Sequence, residues 1–240
     1  MTEYYEAVRA YPDGESTAAR FALTAAEYDF SGIVVRNAPE TGVLDGGNEP
    51  RREKIATEYG IDIVDAVEIR ADDPSAASAQ VKDHREEHTL LSIRGSRALN
   101  RFACEEPRID VLARPMAEGD VNHVLARAAK RNGVRFEFDF GRVLRLSGGR
   151  RVQTISDLRK LREIVFYYDA PYVVSANPKS HLQMRAPREL LALGEVIGFS
   201  REQVANGLAE WGRLAAWNRE RLSESFIEPG VRKGQYEKDD

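Results

Sequence analysis

The sequence predicts an α/β barrel, with parallel strands as its wall and helices outside, and three observations carry that expectation. Apolar, strand-like runs begin near Tyr4, Gly32, Ile61 and Thr89, a spacing of about 28 residues that matches one strand plus one helix. Further runs begin near Arg108, Val134 and Pro171, giving seven units in 240 residues. The runs are nearly continuous in apolar residues, the pattern of parallel strands covered on both faces. No G-x-G-x-x-G follows any of them, which argues against an open dinucleotide-binding sheet and for closure. Seven strands rather than eight imply a distorted or incomplete barrel.

Tyr4–Ala10 reads as the first strand, and after Ser16 the residues Ala18, Phe21, Ala22, Ala25 and Tyr28 recur at helical spacing. Gly32–Arg36 is the second strand. The Gly- and Pro-containing stretch 38–50 follows as an irregular, mobile loop, and Pro50 opens a short helix to Tyr59. Ile61–Arg70 is third, with a helix from Pro74 to His88; Thr89–Ile93 is fourth, followed by Arg94-Gly95-Ser96-Arg97 and a helix through Cys104. After Ile109–Ala113, Asp120 reads as the cap of a helix ending at Asn132. After Val134–Phe138, residues 141–151 read as a loop and Thr154, with Asp157 three residues on, as the next cap. Pro171–Ser175 leads through a polar loop to a helix opened by Pro187, and Ser200 with Gln203 forms a capping-box pattern for a last helix to Leu222. Residues 1–222 thus read as one barrel domain and the polar, aperiodic 223–240 as a charged flexible tail.

The net charge of −4 points away from a wholly basic nucleic-acid binder but allows a local basic face. Of 35 basic residues only seven are lysines, leaving 28 arginines beside 39 acidic residues. That balance fits a salt-loving source, and a GC-rich genome would also favour arginine. Near 1 M salt the Debye length is about 3 Å, so short bidentate Arg–phosphate contacts would outweigh long-range attraction. No apolar run approaches about 18 residues and the N-terminus has no basic-then-apolar signal, so no membrane partner and a cytoplasmic location are expected. The single cysteine, Cys104, excludes an internal disulfide and reads as a small buried side chain.

In a parallel barrel the loops after the strands' C-terminal ends share one face, where function sits. Those loops deliver Arg36, Arg70, Arg94 with Arg97, Arg114, Arg142 with Arg145, and Arg185. Guanidinium matches phosphate bidentately, and the set reads as an RNA-binding surface rather than scattered solvated charge. His123 is placed toward the same face, as an RNA contact or a helix-terminal residue, whereas Tyr172 and Phe140 read as core. His84-Arg85-Glu86-Glu87-His88 fits the H-x-x-E-H pattern of zinc peptidases. It closes a helix at the end opposite the functional face, however, and reads as a solvated charged helix end. No residue is assigned a catalytic role.

The ordered set formed by the stretch 108–138, then Val173-Val174-Ser175-Ala176, Arg185-Ala186-Pro187 and Leu193-Gly194 with Gly198-Phe199 resembles archaeal ribonuclease P protein component 3. The resemblance runs from Tyr5 to Trp211 and also covers a eukaryotic subunit. It implies a TIM-like barrel, related in fold to polymerase-and-histidinol-phosphatase domains. It further implies a non-catalytic subunit in tRNA 5′-leader removal, with Mg2+ held by the catalytic RNA and no cofactor on this chain. The implied partners are ribonuclease P RNA, protein component 2 and other ribonuclease P proteins, and precursor tRNA indirectly. An alternative is a metal-dependent phosphoesterase on the same barrel. The first strand, however, lacks an H-x-H pair, and only four histidines exist in the chain. A third reading is a small-molecule-binding barrel without RNA.

Overall fold

The computed structural model describes residues 2–44, 51–222, 226–228 and 231–232. Its wall is β1 (Tyr5–Val8), β2 (Gly32–Val35), β3 (Asp62–Ile69), β4 (Leu90–Arg94), β5 (Val111–Ala113), β6 (Arg135–Asp139) and β7 (Tyr172–Ser175). The strands pair in chain order and always in parallel, as the spacing predicts. Around them lie α1 (Ala18–Glu27), α2 (Ala38–Thr41), α3 (Arg51–Tyr59), α4 (Pro74–His84), α5 (Asn100–Glu105) and α6 (His123–Asn132). These are followed by α7 (Gly141–Arg145), α8 (Gly148–Tyr167), α9 (Pro187–Ile197) and α10 (Arg201–Leu222). No described helix is long and apolar enough to cross a membrane.

Local chemistry sets most helix starts. Asp73 accepts from the amides of Ser75 and Ala76 ahead of α4, and Ser200 and Gln203 exchange side-chain and backbone hydrogen bonds at 3.1 and 3.0 Å to open α10. Asn122, not Asp120, caps α6, accepting from Val124 and Leu125, while Asp120 is taken by Lys160 at 2.8 Å. Thr154 is no cap either. The helix begins at Gly148, whose φ of 56° glycine tolerates, and the Thr154 hydroxyl donates back to the Arg150 carbonyl within α8. In the expected loop 38–50, the start forms α2, while 45–50, including Pro50, lie outside the described residues. In the expected tail, β8 (Phe226–Glu228) and β9 (Val231–Arg232) pair antiparallel, and the remainder lies outside the described residues.

Alternation along the strands divides the apolar residues into two cores. One face packs under the helices and includes Ile33, Ile63, Ile93, Leu112, Phe136 and Val174. The other fills the lumen with Tyr5, Ala7, Val34, Val64, Ala66, Leu90, Val111 and Val173.

Among the described residues no ladder joins β7 to β1, and α10 substitutes for the missing closure. It crosses the N-terminal ends of the strands: Tyr172 donates to the Gln203 carbonyl, Arg135 pairs with Glu210, Asn218 donates to Thr89 and Asp110, and Arg219 pairs with Asp62. Gly207 lets it approach so closely that a Cβ there would lie 2.5 Å from Val174 Cγ2. Trp211, 2% exposed, enters the lumen with Leu214 and Ala215 and donates its indole N–H to the Val174 carbonyl at 2.9 Å. Trp211→Ala should therefore cost about 3–5 kcal/mol in a denaturant titration. A loss below about 1 kcal/mol would mean that α10 is not the barrel's floor.

Candidate nucleic-acid interface

At the strands' C-terminal ends the lumen changes from apolar to charged. Every second residue of a strand points inward, so positions that continue the lumen rows emerge at this mouth as Arg9, Arg36, Glu68, Arg94, Glu137, Asp139 and Ser175. Glu68 is the centre. Its carboxylate meets Arg9 at 2.7 Å, Arg114 at 3.0 Å, Arg94 at 3.1 Å, Arg36 at 3.4 Å and Arg70 at 3.6 Å. Arg36 also pairs with Glu137 below and lies over the Trp211 ring at 5.3 Å, which links the charged mouth to the floor. Asp13 ties Arg9 to Arg70 across the first loop, at 2.9 and 2.5 Å.

Burial and charge compete within this cluster. Desolvation works to raise the Glu68 carboxyl, but Arg36, Arg9, Arg114 and Arg94 outweigh it and hold the group down at about 2. Glu137 and Asp139 are pushed up by desolvation, with Arg36 opposing at Glu137 and Arg114 at Asp139. A small cavity beside them, about 30 Å³, is lined by Arg114, Arg142, Glu137 and Asp139.

Glu6 closes the upper part of the β7–β1 seam. Its carboxylate accepts from the Ser175 hydroxyl at 2.5 Å and from the amides of Ala7, Ala176 and Asn177, doing the work of absent ladder bonds. Desolvation raises its carboxyl from 4.5 to about 7 against the pull of Ser175 and those amides. A raised folded-state value means that this group's contribution is full below pH 4.5 and lost as pH rises through about 7. Wild-type stability should accordingly fall between pH 5 and 8 by up to about 3 kcal/mol from this group, and Glu6→Gln should flatten that limb. Parallel wild-type and variant curves in urea at the two pH values would refute the assignment.

The arginines expected at the rim divide by availability. Arg70, Arg94 and Arg114 converge on Glu68 with side chains 42%, 34% and 19% exposed. Arg97 is exposed, and its guanidinium makes no ion pair or hydrogen bond among the described residues. Arg142 is half-buried over the cavity, Arg145 donates to the Ala176 and Asn177 carbonyls, and half-buried Arg185 donates to the Leu182 and Met184 carbonyls of its own loop.

Three expectations need correction. Arg36 is 1% exposed and sealed between two carboxylates, so it cannot touch RNA as a surface residue. His123 does not face the rim: its ring lies 6.3 Å from Tyr168, at the end of α8 that leads down into β7. The 84–88 stretch is not a solvated helix end either. α4 stops at His84, Arg85 is buried against Asp110 at 2.7 Å, and His88 is 5% exposed.

Sequence reasoning missed Arg9, Glu6, Glu68, Glu137 and Asp139. The signal was there: charged residues at inward positions of otherwise apolar strands, as in Val67-Glu68-Ile69 and Phe136-Glu137-Phe138.

The mouth also bears on metal chemistry. Glu68 and Glu137 are already paired with guanidinium groups, Asp139 accepts from the Gly141 amide, and His181 is engaged by Ser16 at 2.9 Å while His84, His88 and His123 lie in the helical layer. That donor set does not fit a two-metal hydrolytic centre.

The model of the family described as RNase P subunit p30 matches residues 4–223. A ribonuclease P protein component 3 from Halorubrum lacusprofundi is 56% identical over 98% of this chain and 99% of its own length. A chain in the cryo-EM structure of an archaeal ribonuclease P with mature tRNA superposes with a TM-score of 0.78 at 22% identity, covering 98% of this chain and 100% of that one. The zinc-bound histidinol phosphate phosphatase of Lactococcus lactis shares the fold more loosely, with a TM-score of 0.50 at 11% identity over 82% of this chain and 94% of that one.

Proposed function

The chain belongs to the RNase P subunit p30 family, and from that premise we propose that it is a non-catalytic protein subunit of ribonuclease P. In this reading it supports removal of the 5′ leader from precursor tRNA in the cytoplasm while the RNA holds Mg2+ and performs the hydrolysis. The observation that carries the proposal is the mouth itself, where arginine–carboxylate pairs stand where a hydrolase of this fold would need metal ligands. What such a mouth can do is present guanidinium groups to phosphate. Arg97, Arg142, Arg70 and the outer edges of Arg94 and Arg114 are the groups available, and their task is to replace counterions on a folded RNA. Glu68 gives the inner ends of Arg70, Arg94 and Arg114 a fixed address, which limits the side-chain entropy lost on contact. Arg145 and Arg185 brace the loops behind that surface rather than reach from it. Protein component 2 and the other ribonuclease P proteins are the proposed protein partners.

The test is reconstitution of precursor-tRNA cleavage with and without this chain across a magnesium series. The chain is expected to lower the Mg2+ needed and to cleave no phosphoester alone. Equal cleavage in both reconstitutions, or hydrolysis by the isolated protein, would overturn the reading.

A further inference from the structure

Where α4 gives way to β4, three side chains form a group on the helical side of β3, and one of them, His84, also lines a groove that runs up to Arg70 at the rim. One donor atom each from His84, Glu87 and His88 falls within 4.8 Å of the others. His88 is 5% exposed, and Nδ1 of both histidines is shielded from solvent without a hydrogen-bond partner. Buried polar atoms are costly when unpaired, so the orphaned Nδ1 of His84, beside a His88 whose own Nδ1 faces a carboxylate, points to a missing ligand. A carboxylate stands behind one of them: Asp65 Oδ2 lies 3.6 Å from His88 Nδ1, too far for a hydrogen bond but placed to orient the ring. Asp65 is itself fixed by the Thr89 amide and hydroxyl at 2.9 and 2.7 Å and by Arg52 at 2.6 Å.

We propose that His84, Glu87 and His88 bind a single divalent transition-metal ion, zinc being the best match, on the helical side of β3. Two imidazoles and one carboxylate suit zinc, with bonds of about 2.0–2.2 Å, and do not suit Mg2+ or Ca2+, which prefer all-oxygen shells. Asp65 then acts as the carboxylate behind a metal-bound histidine, accepting a hydrogen bond from His88 Nδ1–H and leaving Nε2 for the ion. Tetrahedral donors sit about 3.3 Å apart, so the group must tighten. Exposed Glu87 can swing inward to do so. The fourth position falls to water on the Glu87 side, and the groove that His84 lines with Gln80 and Arg70 provides a route in. The two neighbouring arginines do not oppose the ion, because Arg52 is spent on Asp65 and Arg85 on Asp110. Bound there, the ion would clamp the turn between α4 and β4.

The test uses tag-free, full-length protein stripped with chelator and dialysed, then titrated with Co2+ and with Zn2+. One equivalent of Co2+ should bind with a visible ligand-field spectrum. A hundredfold excess of Zn2+ over its Kd should raise Tm by about 5 °C or more. His84→Ala and Glu87→Gln should keep the metal-free Tm and lose at least about tenfold in affinity. His88→Ala is not decisive, since His88 is buried and its loss could unfold the turn. The proposal fails if wild type binds no Co2+ equivalent, if Zn2+ leaves its Tm unmoved, or if the two variants bind metal as wild type does.

Discussion

Glu68→Ala is expected to be among the most destabilising single substitutions in this protein, lowering the unfolding free energy by about 3–5 kcal/mol. Glu68 is the shared anion of five guanidinium groups, two of them, Arg9 and Arg36, 2% and 1% exposed. Deleting it leaves buried like charges facing one another, which costs more than the pairs gained. For a domain of this size the Tm should fall by about 10 °C or more. The sign in pH follows from the same contacts. With its carboxyl held at about 2 rather than 4.5, Glu68 contributes stability above pH 4.5 that disappears as pH falls toward 2. The alanine variant should lose that part of the acid limb. A thermal melt within about 2 °C of wild type at pH 7 would show that the cluster is not a structural keystone.

The second large effect is on function and should come without cost in stability. Converting Arg70, Arg97 and Arg142 together to Ala is expected to reduce reconstituted precursor-tRNA cleavage more than about tenfold at limiting Mg2+. The Tm should move by less than about 3 °C. Arg97 makes no ion pair among the described residues, Arg142 is half-buried over the cavity, and the pair of Arg70 with Asp13 is half-exposed and worth little. Arg94 and Arg114 are left in place because they reach Glu68 at 3.1 and 3.0 Å and their loss would confuse binding with folding, whereas the more exposed Arg70 approaches Glu68 only at 3.6 Å. Cleavage like wild type across the magnesium series would remove these residues from the interface.

Much of the architecture could be read from the chain because strand recurrence is a property of local composition. The seven strands fell where β-branched runs recur, and Pro74, Pro187 and Ser200 marked helix starts through chemistry contained in three or four residues. Thr154 misled because hydroxyl residues serve equally as caps and as mid-helix donors to the preceding turn, and two glycines concealed the true start. The role of α10 was hidden for a different reason. A helical period reports one buried face, not that Trp211 would plug a lumen between two unpaired strands.

At the site, strand ends indicated where arginines arrive but not what they meet. Arg36 and Arg97 both follow a strand, yet one is sealed between Glu68 and Glu137 and the other stands in solvent. The difference is set by carboxylates from strands far away in sequence. His123 was misjudged because its ring meets Tyr168 at the end of α8, a packing of one helix against another that no local pattern records.

The central claim is that the barrel mouth holds RNA through guanidinium–phosphate contacts. It is tested most directly by the salt dependence of binding between ribonuclease P RNA and the wild-type chain or its Arg70, Arg97 and Arg142 triple variant. The account predicts a log–log slope shallower by about three in the variant, one released counterion for each arginine removed. Identical slopes and affinities for the two proteins would contradict it.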